Sequence, residues 1–324
     1  MSKKMIYIIG NGFDMHHSLK TAYFKYKTYL KSINKRLVEK LDQLMEEYGV
    51  EPDDIKYWSK LEDYLYEISQ FDIDEVYDAS IASSETDIDR ASYWSDPGYN
   101  DKTYSKGITD IVKGVKNHFN GWIQEIEKSI NIENTSINID LDLPIDAYYL
   151  NFNYTSTLEK LYSIPSQNIL HIHGSIKDDY ILGHNQKLII PFEYPEMMQM
   201  DWRGDPIYGD DFRCVEIKES INNAYRDIYD VYYKNSKSII QKNKIFFDKF
   251  KNADEIIFMG LSMGEQDWPY IEEISKLIQR DCVVRVYYHN EEEDIVLEDI
   301  ENSCKYFFNK NLLKQVRSIR IVNH

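Results

Sequence analysis

Four short apolar runs, residues 5–9, 147–150, 169–172 and 256–259, each give way to a polar loop. The loops are Gly10-Asn11-Gly12-Phe13-Asp14, Asn151-Phe152-Asn153-Tyr154-Thr155, His173-Gly174-Ser175 and Gly260-Leu261-Ser262. Runs of this length, bounded by turn residues and alternating with helix-like stretches, read as strands of a parallel sheet. In an open α/β sheet, ligands bind outside the carboxyl ends of such strands. One relation repeated four times therefore predicts one shared pocket, suited to a nucleotide-like small molecule.

The second run begins only at residue 147, and the chain before it is helical in pattern. Leu30, Ile33, Leu37, Leu41 and Leu44 recur at three- and four-residue steps, as do Trp58, Leu61, Leu65 and Ile68. Ile108, Ile111, Val115, Phe119, Trp122 and Ile126 make a third stripe, and all three read as core faces. Residues 83–101 are polar, carry Pro97-Gly98 and read as a loop. Beyond 147, helices are expected at 156–162, 215–250 and 267–279. Strands are expected through Ile181 and at 188–190, 283–287 and 319–322. The expected fold is α/β: a Rossmann-like, mostly parallel sheet from residues 1–19 plus 140–324, with 20–139 as a large helical insertion or lid.

The formal net charge of -17 argues against a duplex-binding surface, which needs clustered Lys and Arg. No apolar run is long enough to span a membrane, and residues 5–9 are too short for a signal-peptide core. Cys214, Cys282 and Cys304 are odd in number and far apart, so they suggest neither a disulfide framework nor a zinc site. The expectation is a cytoplasmic protein without a metal. A homo-oligomer is compatible with this composition.

Gly10-Asn11-Gly12 follows a strand and precedes a helix, the context of a phosphate turn, but Met15 stands where a third glycine would complete a dinucleotide fingerprint. Asp14 reads either as a helix N-cap or as a ribose partner or proton acceptor. Asn151, Asn153 and Thr155 alternate with Phe152 and Tyr154, which puts their polar groups on one side. Asn153 is either a turn residue or a group that positions water or an amide. His173 is the natural general base at a strand end, with His171 deeper on the same face and His184 a third candidate. Glu159 reads as structural, in a capping box with Ser156. Gly260-Leu261-Ser262-Met263-Gly264 fits a nucleophile elbow, with Asp281 or Asp294 and His289 or His324 as partners. The preferred reading is a loop whose Gly260 and Ser262 wrap a ribose or phosphate, with Asp267 capping the next helix, because motifs this short often match by chance.

The blocks Gly10 to Asp14, Trp58-Ser59-Lys60-Leu61-Glu62, Asn151 to Thr155, His171 to Gly174 and Gly260 to Asp267 together resemble the bacteriophage abortive infection AbiH family, nearly end to end. More distantly, four of them resemble the sirtuin-like NAD-binding domains of antiviral systems. Asn11, Asp14 and Thr155 depart from that pattern. The resemblance implies a sirtuin-like core that hydrolyses NAD to arrest an infected cell, with Asn153 and His173 catalytic. Gly10, Asn11, Gly12, Phe13, Asp14, Asn151, Thr155, Gly260 and Ser262 would contact the nucleotide, and a phage-derived trigger would act on the insertion. The alternatives are a non-catalytic module that senses a nucleotide or phage protein, and a serine hydrolase.

Overall fold

The computed structural model describes residues 3–47, 51–53, 58, 61–62, 66, 99–131, 133, 137, 139–176, 180–188, 199–200, 203, 206–207, 219, 222–223, 225–227, 229–289, 302–308 and 317–321. Three of the apolar runs form the strands β1 (Met5–Ile9), β2 (Tyr148–Asn151) and β3 (Ile169–His171). A hairpin of β4 (Gln199–Met200) and β5 (Pro206–Ile207) stands apart, and β6 (Glu255–Met259), β7 (Val283–His289) and β8 (Arg317–Ile321) complete the sheet. Six strands pair in the order β3-β2-β1-β6-β7-β8, and every neighbouring pair is parallel. The chain works outward from β1 to one edge, then returns beside β1 and works outward to the other. Between β1 and β6 lies the switch point at which doubly wound sheets bind ligands.

Both faces of the sheet are covered, so its strands read as nearly unbroken apolar runs. Ile6, Ile8, Leu150, Ile256, Phe258, Val284 and Val286 pack on one side with Phe247, Phe250, Ile271 and Ile274. The latter come from the segment of the helix Ser236–Lys242 through Asn252, and from the helix Trp268–Leu277. Tyr7, Ile9, Tyr149, Ile257 and Met259 face the other side, against Phe13, Leu143, Leu158 and Ile164. Burying an aliphatic or phenyl side chain contributes roughly 1.5–3 kcal/mol, so this double layer holds the register. In that register His171, Asn151, Ile9, Met259 and Tyr287 form one row across five strands. The four polar loops consequently leave the sheet at one edge.

Two compact units are formed: residues 1–29, 118–182 and 234–324 make the first, and 30–117 with 183–233 the second. The helix Tyr99–Ser129 contributes residues 99–117 to the second unit and 118–129 to the first. Its Phe119 and Trp122 pack in the first unit, within 5.5 Å of the Tyr26 ring. Its stripe is buried as expected. Asn34 interrupts the first stripe between helices Tyr23–Ile33 and Lys35–Glu47, so Ile33 is exposed while Val38 and Met45 are buried.

The expected helix over 215–250 is instead broken at 233–235 and again at Asn243, and 215–218 lie outside the described residues. Residues 180–188 contain no strand, only a bridge from His184 to Tyr233. Of the expected loop at 83–101, residues 83–98 lie outside the described residues and 99–101 begin the long helix. Leu65, Ile68 and Cys214 also lie outside them. Among the described residues, no helix is long and apolar enough to cross a membrane.

Three glycines at the switch point have no room for a side chain. A Cβ on Gly10 would come 2.5 Å from Leu261 Cα, and one on Gly12 2.7 Å from Gly260 Cα. Gly260 itself has φ +65, and its Cβ would fall on the Phe13 nitrogen. Gly12→Ala and Gly260→Ala should each lower stability by about 2–4 kcal/mol, through overpacking and backbone strain. Gly107→Ala in the long helix meets nothing within 4 Å, and should be neutral or stabilising by up to about 1 kcal/mol. Urea unfolding of the three variants provides the comparison.

Candidate functional site

The first loop turns directly into the helix Asn11–His16, with extended Gly10 as its N-cap. Its amides are used within the fold: Gly10 N–H donates to Met259 O at 2.9 Å, and Gly12 N–H to Gly260 O at 2.8 Å. Glycine is needed here so that two turns can meet backbone to backbone, a close approach that any side chain would prevent. Asn11 Nδ2 donates to Thr21 O at 3.1 Å, and Phe13 is buried beside His17 and Tyr162. Ser262 is exposed, and the positive φ of this loop falls on Gly260 and Met263. A nucleophile elbow puts its strain on the serine, so the loop lacks that feature. The side chain of His289, along with Asp294 and His324, lies outside the described residues.

Asp14 stands in the first turn of its helix rather than at the N-cap and is 1% exposed. Thr155 Oγ1 donates to its Oδ2 at 2.6 Å, and Thr157 Oγ1 to its Oδ1 at 2.8 Å. Burial raises the Asp14 carboxyl to about 6, against the opposing pull of hydrogen bonds from Thr155, Thr157 and Asn153. Asn153 ties the second loop to the first: its N–H donates to Asn151 Oδ1 and its Nδ2 to Gly10 O, both at 3.0 Å. Four expected site residues, Asp14, Asn151, Asn153 and Thr155, therefore form one buried polar cluster at the ends of β1 and β2.

The two histidines after β3 have opposite surroundings. His171 Nε2 lies 2.9 Å from Glu159 Oε1, and its Nδ1 lies 3.3 Å from Asn153 O. Burial pulls the His171 pKa down, but the Glu159 hydrogen bond and charge outweigh it and leave the pKa raised. His173 is the more buried of the pair, the reverse of the sequence expectation, because its ring inserts against Phe152 and Tyr270. Burial and then the Lys234 charge hold its pKa well below the usual histidine value, so the ring is neutral. Lys234 Nζ is 3.4 Å and Asp267 Oδ1 4.0 Å from His173 Nε2.

Four side chains in this region, Lys234, Asp267, Glu127 and Glu159, have roles the sequence did not reveal. Lys234 follows a tyrosine-rich helix and carries no local signal. Asp267 precedes its helix but makes no side-chain capping bond. Ser156 makes no capping bond either; its N–H donates to the buried carboxylate of Glu127, while Glu159 turns to His171. Glu127 also lines an open groove of about 310 Å³ with Gln124, Lys128, Lys160 and Ile176. His184 belongs to the second unit, where its ring lies against Tyr66 and Tyr229.

A model of the family described as bacteriophage abortive infection AbiH matches residues 6–289. No curated protein matches the chain. No solved structure matches it either.

The Asp14 environment has a measurable signature. A carboxyl whose folded pKa is raised makes folding less favourable as pH climbs from about 4 through about 6, and the cost is complete above that range. Asp14→Asn should therefore be more stable than the wild type by on the order of 2 kcal/mol at pH 7. The difference should vanish below about pH 4, where both states of the wild type carry the proton. Urea unfolding at pH 4, 5.5 and 7 measures it.

Proposed function

We propose that this chain, which belongs to the bacteriophage abortive infection AbiH family, serves that defence by cleaving the nicotinamide–ribose bond of NAD or a related nucleotide. The observation that carries the reading is the buried Asp14–Asn153 cluster at the switch point, where burial raises a carboxyl pKa to about 6 at a cost to stability. Groups with shifted titration gather where chemistry is done, and the carboxyl ends of parallel strands are where such sheets hold nucleotides.

The reaction consumes one water and yields nicotinamide, ADP-ribose and a proton. The electron pair of the C–N bond leaves with the nicotinamide nitrogen, and the water oxygen bonds to the ribose carbon. The transition state resembles an oxocarbenium ion, which the negative charge of ionised Asp14 would stabilise. Asn153 would hold the water or the leaving amide, and neutral His173 would take the proton from the water or a ribose hydroxyl. Gly10, Asn11, Gly12 and Phe13 would meet the pyrophosphate, with Thr155, Asn151, Gly260 and Ser262 around the ribose.

The Gly12 N–H is engaged by Gly260 O, so phosphate would have to displace that carbonyl. This contact suits a resting state that restrains a toxic activity until infection. It equally favours the second reading, a module that senses a nucleotide or phage protein and performs no chemistry.

Nicotinamide release from NAD by the purified protein separates the two. His173→Ala and Asn153→Ala should each lower turnover by roughly 10²–10⁴-fold. Stable calorimetric binding of NAD and ADP-ribose without any release, even with phage lysate added, would instead support the sensing module.

A further inference from the structure

His173 Nε2, Lys234 Nζ and Asp267 Oδ1 form a triangle with sides of 3.4, 3.8 and 4.0 Å. All three belong to the first unit, and they come from three distant parts of the chain. His173 follows β3, Lys234 precedes the helix Ser236–Lys242, and Asp267 closes the one-turn helix Glu265–Asp267. The Lys234 side chain is fully buried, that of His173 is 6% exposed and that of Asp267 18%. Phe152 and Tyr270 flank the imidazole. These separations exceed the roughly 2.7–2.9 Å of a direct ammonium–carboxylate hydrogen bond.

Polar groups spaced this way are commonly joined through one bridging oxygen. An oxygen set above the triangle can lie roughly 2.8 Å from all three corners at once, an ordinary hydrogen-bond length. The chemistry of the corners matches it. Lys234 is a donor only, Asp267 as a carboxylate is an acceptor only, and Nε2 of neutral His173 facing an ammonium is an acceptor. Two acceptors and one donor correspond to the two hydrogens and a lone pair of water.

We propose that Lys234, Asp267 and His173 form a seat for a single hydroxyl oxygen, best matched by a water molecule and alternatively by a sugar hydroxyl of the ligand. The role of His173 rests on the hydrolytic reading; the seat itself does not. In a hydrolysis the seated water gives one proton to His173 Nε2 as its oxygen bonds to the ribose carbon. Asp267 orients the second hydrogen. Lys234 fixes the lone pair and keeps Nε2 of His173 unprotonated until the water arrives.

The decisive experiment is a high-resolution crystal structure of the full chain, alone and with ADP-ribose, alongside Lys234→Met and Asp267→Asn. One ordered oxygen within hydrogen-bond reach of all three atoms in the wild type, lost in either variant, is expected. Persistence of that oxygen as water beside bound ADP-ribose identifies a nucleophile seat; its replacement by a ribose hydroxyl identifies a ligand seat. The variants then separate kinetically: on the order of a hundredfold loss of kcat with little change in KM for the first, and a raised KM for NAD for the second. Asp267→Asn preserves shape, so it keeps the test open should Lys234→Met fail to fold. Direct contact of Lys234 Nζ with Asp267, with no oxygen shared among the three atoms, overturns the proposal. NAD left uncleaved with the oxygen in place removes the substrate assignment and leaves the seat standing. NAD cleaved equally well by both variants, with no oxygen seen, does the reverse.

Discussion

At the switch point of the sheet, the turn after β1 and the turn after β6 press together with no side chain between them. Gly12 N–H binds Gly260 O, and Gly10 N–H binds Met259 O. This contact continues the pairing of β1 with β6 past the ends of the two strands. It places Asp14 one helical turn from the β1 end and starts the segment that carries Asp267. The glycines are there because a Cβ at any of the three would collide with backbone, which cannot rotate aside as a side chain can. An ATP- or NAD-type phosphate turn also needs bare backbone. Here that bare backbone serves the closed contact between the two loops, and the Gly10 and Gly12 N–H groups are both spent on it.

Around that contact the chain buries groups that cost stability. Asp14 is held by two threonine hydroxyls and an amide rather than by a cation. Hydroxyl bonds favour the ionised carboxylate, yet removal from water outweighs them. Two histidines separated by a single residue are driven apart in the same manner, one beside the Glu159 carboxylate and the other beside the Lys234 ammonium. Neighbouring groups with opposed titration can divide donor and acceptor roles at one pH.

The strands were legible because a buried parallel strand is written locally, as a short apolar run with a turn behind it. Residues 5–9, 256–259 and the long stripe from Ile108 to Ile126 needed no partner to be recognised. Side-chain partners were not legible. Ser156 and Glu159 have capping-box spacing, yet Glu127 lies 29 residues from Ser156 and reaches its N–H. Asp267 has the position of a helix cap but turns toward Lys234 and His173. His171 and His173 have the spacing of two residues on one strand face, yet β3 ends at His171 and the turn that follows buries His173 more deeply. The expected helix at 215–250 has the right composition, but it breaks at 233–235, where the chain passes from the second unit to the first, and again at Asn243 within the first.

By itself the sequence determined the element types, the parallel sheet and the family, along with the prediction that four polar loops share one edge. Each of these depends on residue type and spacing within a few positions, so each survives without knowledge of distant neighbours. Only the tertiary structure decided that Gly10, Gly12 and Gly260 close on one another, that Asp14 is paired with Thr155 and Thr157, and that Lys234 and Asp267 converge on His173. Those outcomes depend on strand order and register, which bring residues more than a hundred positions apart within hydrogen-bond reach. Burial then shifts the titration of Asp14 and His173, because the cost of removing a charge from water is a property of the packed surroundings and not of the residue.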